Sequence, residues 1–370
     1  MMKYILQVFT GSWHETQVTP EQIIRKIHEI AARVPVDQVI IGWNTDLSLY
    51  RKVGVFLQKA GIRMLLWLPV FAETGDISEP EKALDIFGKP VPRPSSPEGG
   101  FLFHCPSSVR NIQIVKELYE KHFSGCGFDG VFFDRIRSQS FVSGVSGVLS
   151  CGCERCRKAF LNKGVDLHAV RRRYEEKEDA FFDMVSYPVN GRFVLKDELA
   201  QHFFDAKEMI IADAVAELSG YFRDKGMKVG LDLFAPLISR FVGQNYMLLA
   251  EHVDFIKPMM YRRTEAPAGI GFEYALYEKH AHHICCRMPF SMDRAFLYNQ
   301  LEAIRELPCE KYPGIEINYD AELVRTDAGY IRESLAAIRN QGFACTVLCW
   351  NIMQARKELL SAVFTEGHGL

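Results

Sequence analysis

Three cysteines fall within six residues of this chain: Cys151, Cys153 and Cys156, in LSCGCERCRKAF. A C-x-C-x-x-C spacing lets three thiolates converge on one ion, and Zn²⁺ takes four sulfur or nitrogen ligands in a tetrahedron. The fourth ligand must come from elsewhere. Cys105, in FLFHCPSS, is the first choice, with His104 and Cys126 as the alternatives. Four protein ligands leave no open coordination position, so such a zinc is structural, pinning one loop against another. The competing reading is a set of unrelated reduced thiols. The chain has ten cysteines, and MMKYILQVFTGSWHE reads as a first strand and not as a secretory leader. Both features point to a reducing, cytoplasmic compartment.

A second group of residues carries charge into short apolar runs. Asp134 lies in DGVFFD, Asp232 in VGLDLF and Glu316 in GIEIN. Side chains alternate along a strand, so Asp134 shares a face with Gly130 and Phe132, Asp232 with Gly230, and Glu316 with Gly314 and Asn318. If those faces point to one interior, three carboxylates converge there, joined by Lys257 of FIKPMMY. A charge inside a strand is costly to bury unless paired or used, and Asp232 with Lys257 reads equally well as an ion pair. Arg135 or Arg137 could keep a nearby carboxylate ionised. Two carboxylates across a mouth are the minimal equipment for glycoside hydrolysis: one protonates the leaving oxygen, the other attacks or activates water. The four tryptophans fit that chemistry. Trp13, Trp43, Trp67 and Trp350 each fall late in, or just after, an apolar run, as do Tyr261 and Tyr319. An indole offers a flat apolar face and one donor, which suits a sugar ring. Asn44, Asn318 and Asn351 would add hydroxyl partners.

These residues need elements to hold them. Eight apolar runs, at residues 3–10, 36–43, 62–70, 129–135, 228–235, 253–261, 314–319 and 344–351, alternate with helical patterns. YRKVGVFLQKAGI, IADAVAELSGYFRDKGM and IRESLAAIRNQGF each pair an amphipathic period with a glycine near the helix end. Strand–helix alternation implies a parallel sheet, and eight units predict a (β/α)₈ barrel. The expected organisation is one barrel domain over residues 1–370, with long loops after strands three and four. The first spans residues 71–108 and is rich in Pro, Gly and Ser; the second, an insertion at 136–196, carries the cysteine motif and helices. In a barrel such loops form the walls of the catalytic face. The apolar share of 48% supports a large core, and a net charge of −2 gives no basic face for nucleic acid. No apolar run reaches the length of a membrane span. The histidine run at His280, His282 and His283 falls in a connecting segment and reads as a surface patch, not a metal site.

The stretch HCPSSVRNIQIVKELYEKHF, then a strand, then CGCERCRKAF, resembles the zinc-bearing region of family 42 glycoside hydrolases, the β-galactosidase type, over residues 104–160. The resemblance implies that Cys105, Cys151, Cys153 and Cys156 hold a structural zinc. It also implies a carbohydrate substrate, with an acid/base at the end of strand four and a nucleophile on strand seven. That family carries its acid/base as the Glu of an Asn-Glu pair; here the sequence is FFDRIR, so Asp134 takes the role. Glu316 becomes the nucleophile of a retaining mechanism, with Asp232 in reserve. Trp13, Trp43, Trp67, Tyr261, Asn318 and Trp350 become the expected substrate contacts. The alternative is a barrel that binds carbohydrate without cleaving it.

Overall fold

The structure, a computed structural model, describes residues 2–72, 79–93, 101–178, 180–184, 194–280 and 291–367. His282 and His283 lie outside the described residues.

All eight expected strands form. They are β1 (Lys3–Phe9), β2 (Val36–Gly42), β3 (Arg63–Pro69), β4 (Gly130–Asp134), β5 (Lys228–Phe234), β6 (Phe255–Met259), β7 (Gly314–Glu316) and β8 (Cys345–Cys349). Each pairs in parallel with the next, and β8 pairs with β1. The circle closes between β6 and β7, where Gly314 aligns with Met259. The molecule is a (β/α)₈ barrel.

Ten of the α-helices among the described residues position these strands: α1 (Pro20–Ala31), α2 (Leu47–Ala60), α3 (Val109–His122), α4 (Glu154–Asn162), α5 (Leu167–Glu176), α6 (Glu198–Arg223), α7 (Ile270–His280), α8 (Arg294–Glu302), α9 (Ala328–Asn340) and α10 (Lys357–Gly367); three shorter α-helices lie in the loops. Their ends follow local chemistry. Thr19 and Gln22 form a reciprocal capping box at the start of α1, and the carboxylates of Asp46 and Asp197 accept backbone N–H groups of α2 and α6. Gly61 terminates α2 at φ +68°, a conformation that favours glycine. Among the described residues, no helix is long and apolar enough to cross a membrane.

The barrel interior is filled, not hollow. Phe132 of β4 stacks on Phe255 of β6 at 6.1 Å. Glycines make room for these rings: a Cβ on Gly230 would lie 1.9 Å from Phe255. Above this plug, towards the strand C-termini, the lining becomes mixed and a cavity opens.

Candidate active site

The cavity has a volume of about 340 Å³ and sits among the C-terminal ends of the strands, where barrels of this kind place their chemistry. Phe9, Trp43 and Trp67, from the ends of β1, β2 and β3, make one wall. Phe9 and Trp67 each meet Trp43 edge-on, with ring centroids 5.3 and 5.4 Å away. Trp350, just after β8, faces Tyr261 across 6.4 Å on the opposite side. All five line the cavity.

Two carboxylates reach the same space, Asp134 and Asp232. Asp134 is the last residue of β4 and is half-buried. It accepts Trp67 Nε1–H at 3.0 Å and the Arg135 N–H at 2.6 Å. Arg135 adopts φ +54°, an uncommon conformation for a residue with a side chain. Asp232 lies deeper, on β5, opposite Lys257 of β6 in register. Lys257 Nζ donates to Asp232 Oδ2 at 3.0 Å and to the Tyr261 hydroxyl at 2.6 Å. Burial pushes the Asp232 carboxyl up to about 7; Asp134 raises it further, while Lys257 and Arg137 pull it down. The alternation along β4 and β5 therefore brings two carboxylates into one electrostatic unit.

Two buried polar atoms on the lining, Gln7 Oε1 and Trp43 Nε1, have no hydrogen-bond partner among the described residues. Orphaned buried polar groups are rare and each costs free energy unless something pairs it. An acceptor and a donor on an aromatic-walled cavity match the edge of a polyhydroxylated ligand. Gln7 did not enter the sequence reading. Its signal was available: a polar residue inside KYILQVF, sharing the inward face with Phe9 by the rule that selected Asp232.

Five residues expected at the mouth lie off the cavity lining: Glu316, Trp13, Asn318, Asn44 and Tyr319. Glu316 is fully buried and off the cavity lining. Its Oε1 accepts the Arg263 N–H at 2.6 Å and its Oε2 the Tyr330 hydroxyl at 2.7 Å. The chain leaving β6 thus meets the end of β7 and consumes that carboxylate as a clip to α9. Strand parity cannot reveal this, because it depends on where a neighbouring loop turns. Trp13 packs near Phe123, with ring centroids 6.4 Å apart, and its carbonyl accepts from Thr45. Asn318 sits behind the wall: its Oδ1 accepts the N–H groups of Trp350 and Asn351, and its Nδ2 donates to Asn351 O. It orients the Trp350 segment without lining the cavity.

The cysteines do meet. The sulfurs of Cys105, Cys151, Cys153 and Cys156 all lie within 4.8 Å of one another. Cys105 Sγ is 3.4 Å from both Cys153 Sγ and Cys156 Sγ. A tetrahedral ion with Zn–S bonds of about 2.3 Å sets its sulfurs about 3.8 Å apart, so the cluster has the right span. Cys153 caps α4, and its sulfur accepts the Cys156 N–H. Hydrogen bonds from Cys105, Cys151 and Cys156 hold the Cys153 thiol well below the usual range. Four uncompensated thiolates so close would repel one another, and a dication resolves that repulsion. His104 and Cys126, the alternative ligands, are not part of the cluster.

No protein-family model matches this sequence, and no curated protein matches it. The fold matches solved structures. It aligns with the PgaB (BpsB) glycoside hydrolase domain from Bordetella bronchiseptica at a TM-score of 0.66, with 15% identity over 99% of each chain. It is also similar to the spore cortex-lytic enzyme SleL from Bacillus megaterium QM B1551, at TM-score 0.51 and 11% identity over 99% of this chain and 74% of that one. A class V chitinase from Pseudomonas fluorescens Pf-5 matches at TM-score 0.51 and 10% identity, over 98% and 99% of the two chains. Identities this low establish a common barrel, and a barrel hosts many chemistries.

Proposed function

We propose that this protein is a glycoside hydrolase whose working carboxylates are Asp134 and Asp232. One observation carries the reading: both carboxylates line a single cavity walled by Trp43, Trp67 and Trp350. The indoles receive the C–H face of a sugar ring, and Gln7 and Trp43 Nε1–H hydrogen-bond its hydroxyls. Asp232, pushed up to about 7 by burial, carries a proton to the glycosidic oxygen. Lys257 and Arg137 then stabilise the carboxylate it leaves behind. Asp134, aimed by Trp67 Nε1–H and the Arg135 N–H, supplies the electron pair to the anomeric carbon or to a water. Relative to the sequence reading, Asp232 takes the acid role from Asp134, and Glu316 has none. The similar folds of a glycoside hydrolase domain and a chitinase agree with this class.

The same reading gives the cysteine cluster one structural zinc, as its likeness to family 42 enzymes implies. With four thiolates around it the ion has no free position, so no reaction step passes through it.

A panel of nitrophenyl glycosides and oligosaccharides tests the proposal. Hydrolysis of at least one, lost in both Asp134→Asn and Asp232→Asn, is expected. Binding without turnover across the panel would identify a non-catalytic carbohydrate-binding barrel instead.

A further inference from the structure

Three buried arginines show how this chain treats a guanidinium away from water. Arg240 donates to Glu208 at 3.2 Å, to Asp205 at 2.9 Å and to the carbonyl of Gln201. Arg262 donates to Glu333 and the Ser334 hydroxyl, both at 2.9 Å, and to Met292 O. Arg137 is different. It is 9% exposed, yet among the described residues its one protein hydrogen bond runs from Nη1 to Ser138 O at 2.9 Å, and no carboxylate stands within ion-pair distance. A guanidinium has five donors in a fixed fork. Here the guanidinium carbon lies over two rings, 4.7 Å from the Phe103 centroid and 4.4 Å from the Phe234 centroid, and Arg137 lines the cavity. Burying a cation without a paired anion is expensive.

We infer that the ligand of this cavity is a glycan bearing an anionic substituent, a carboxylate or a sulfate ester, which the Arg137 fork receives. The inference rests on the hydrolase reading only in taking the ligand to be a glycan. The surroundings support it. Arg135 adds a second cation on the same lining, its guanidinium carbon 4.2 Å from the Trp43 ring and 3.3 Å from the Phe101 ring. The carboxylates that act on Arg137 through space are Glu273, Asp134 and Asp232. Burial pushes both Glu273 and Asp232 up to about 7. Glu273 also spends Oε1 on the Ser140 hydroxyl and the Ala268 N–H. On the lining itself two guanidiniums, Arg135 and Arg137, stand with two carboxylates, Asp134 and Asp232, and Asp232 is already engaged by Lys257.

The test is a matched set of neutral, uronic-acid and sulfated glycosides with one common leaving group. Each is scored by hydrolysis and, separately, by quenching of tryptophan fluorescence with the corresponding free sugars. The wild-type protein is expected to favour an acid-bearing member over its neutral counterpart. A response confined to uronates identifies a carboxylate, and one confined to sulfated sugars identifies a sulfate ester. Arg137→Gln should lower the acidic-to-neutral ratio about 10- to 100-fold, the size of a lost charge-assisted contact, and Arg137→Lys should restore part of it. A wild-type preference for neutral sugars, or an unchanged ratio in Arg137→Gln, overturns the inference. The wild-type ratio decides the matter even if Arg137→Gln fails to fold. Arg137-dependent uronate or sulfate binding with no hydrolysis would sink the hydrolase reading and leave the anionic ligand standing. Hydrolysis of neutral glycosides alone would do the reverse.

Discussion

At the scale of single residues, Asp232 ties the chemistry to pH. Its carboxyl must carry a proton to act as the acid, and burial beside Asp134 places its titration at about 7. Turnover should therefore fall as pH rises through that value. Asp232→Asn should remove this limb and cost about 10²- to 10⁴-fold in kcat, with a smaller loss for substrates with good leaving groups. Stability carries the same signature. A carboxyl whose folded-state pKa lies above its unfolded one contributes fully below the unfolded value, and that contribution is lost as pH rises through the folded value. Between about pH 4 and pH 7 the native protein binds the extra proton, so thermal stability should decline with rising pH across that window. The decline should be shallower in Asp232→Asn; an identical slope in both proteins would refute the assignment. Glu316 provides the contrast. Glu316→Gln should lower Tm through its bonds to Tyr330 and Arg263 while leaving kcat within a few-fold, and an inactive but stably folded variant would restore it to the site. Strand parity was enough to find Asp134 and Asp232, because their side chains obey the pleat. It misplaced Glu316 because that residue ends its strand, where the partner is chosen by a loop from β6. Gln7 was equally readable by parity, and carried no charge to draw notice.

At the scale of elements, the cysteine cluster joins two long connections that would otherwise have little to fix them. Cys105 follows β3, and the other three cysteines follow β4. Around the sulfurs the backbone is cross-linked: Cys105 N–H donates to Glu81 O at 2.8 Å, Asn111 bridges Glu81 and Cys105, and Gly152 N–H donates to Leu84 O at 2.8 Å. The buried Lys207 of α6 donates to Val148 O and Phe241 O; burial pulls it down to about 7, while Cys151 and Cys156 act to hold its proton. Four thiolates around one Zn²⁺ would leave two negative charges, which would favour the protonated form of Lys207. Metal analysis of protein purified without chelator should give about one zinc per chain. Cys153→Ser should lower Tm and open residues 79–93 to proteolysis, because binding energy at a structural metal is folding energy. Gly152→Ala should act at the same junction without removing a ligand. A Cβ there would lie 2.2 Å from Asp85 O, so the two loops must part. Unchanged stability and zinc content in Gly152→Ala would mean that this contact is not what seats the cluster. The strands and most helices were legible because period and capping residues are local. Which walls the long loops would form was not, since that depends on contacts such as Gly152 against Asp85, far apart in sequence.

At the scale of the whole molecule, closure of the barrel and the state of the site are one problem. Within β7 itself the seam with β6 has one aligned pair, Gly314 with Met259, and the bond from Met260 N–H to Gly314 O at 2.9 Å; residues 310–312 just before β7 continue the pairing along β6. Gly314 faces the interior: a Cβ there would stand 2.4 Å from Lys257 Cε and 3.1 Å from Cys349 Sγ. On an exposed surface a lysine stem would simply swing away. Lys257 is fully buried, and its ammonium is held by Asp232 and Tyr261, so it can yield only by leaving one of them. Gly314→Ala should therefore do two things. Overpacking should lower stability by about 1–3 kcal/mol. Displacing the ammonium should also raise the Asp232 pKa, because Lys257 is the main influence that pulls it down. The alkaline limb of the pH–rate profile should then move to higher pH. Gly230→Ala separates the two effects. The three atoms nearest its added methyl group all belong to the Phe255 ring, the closest at 1.9 Å, so it should destabilise the barrel and leave the limb in place. If both variants shift the limb alike, general loosening of the core is the cause. If only Gly314→Ala does, a missing methyl group on β7 is what lets the closed barrel hold Lys257 against Asp232.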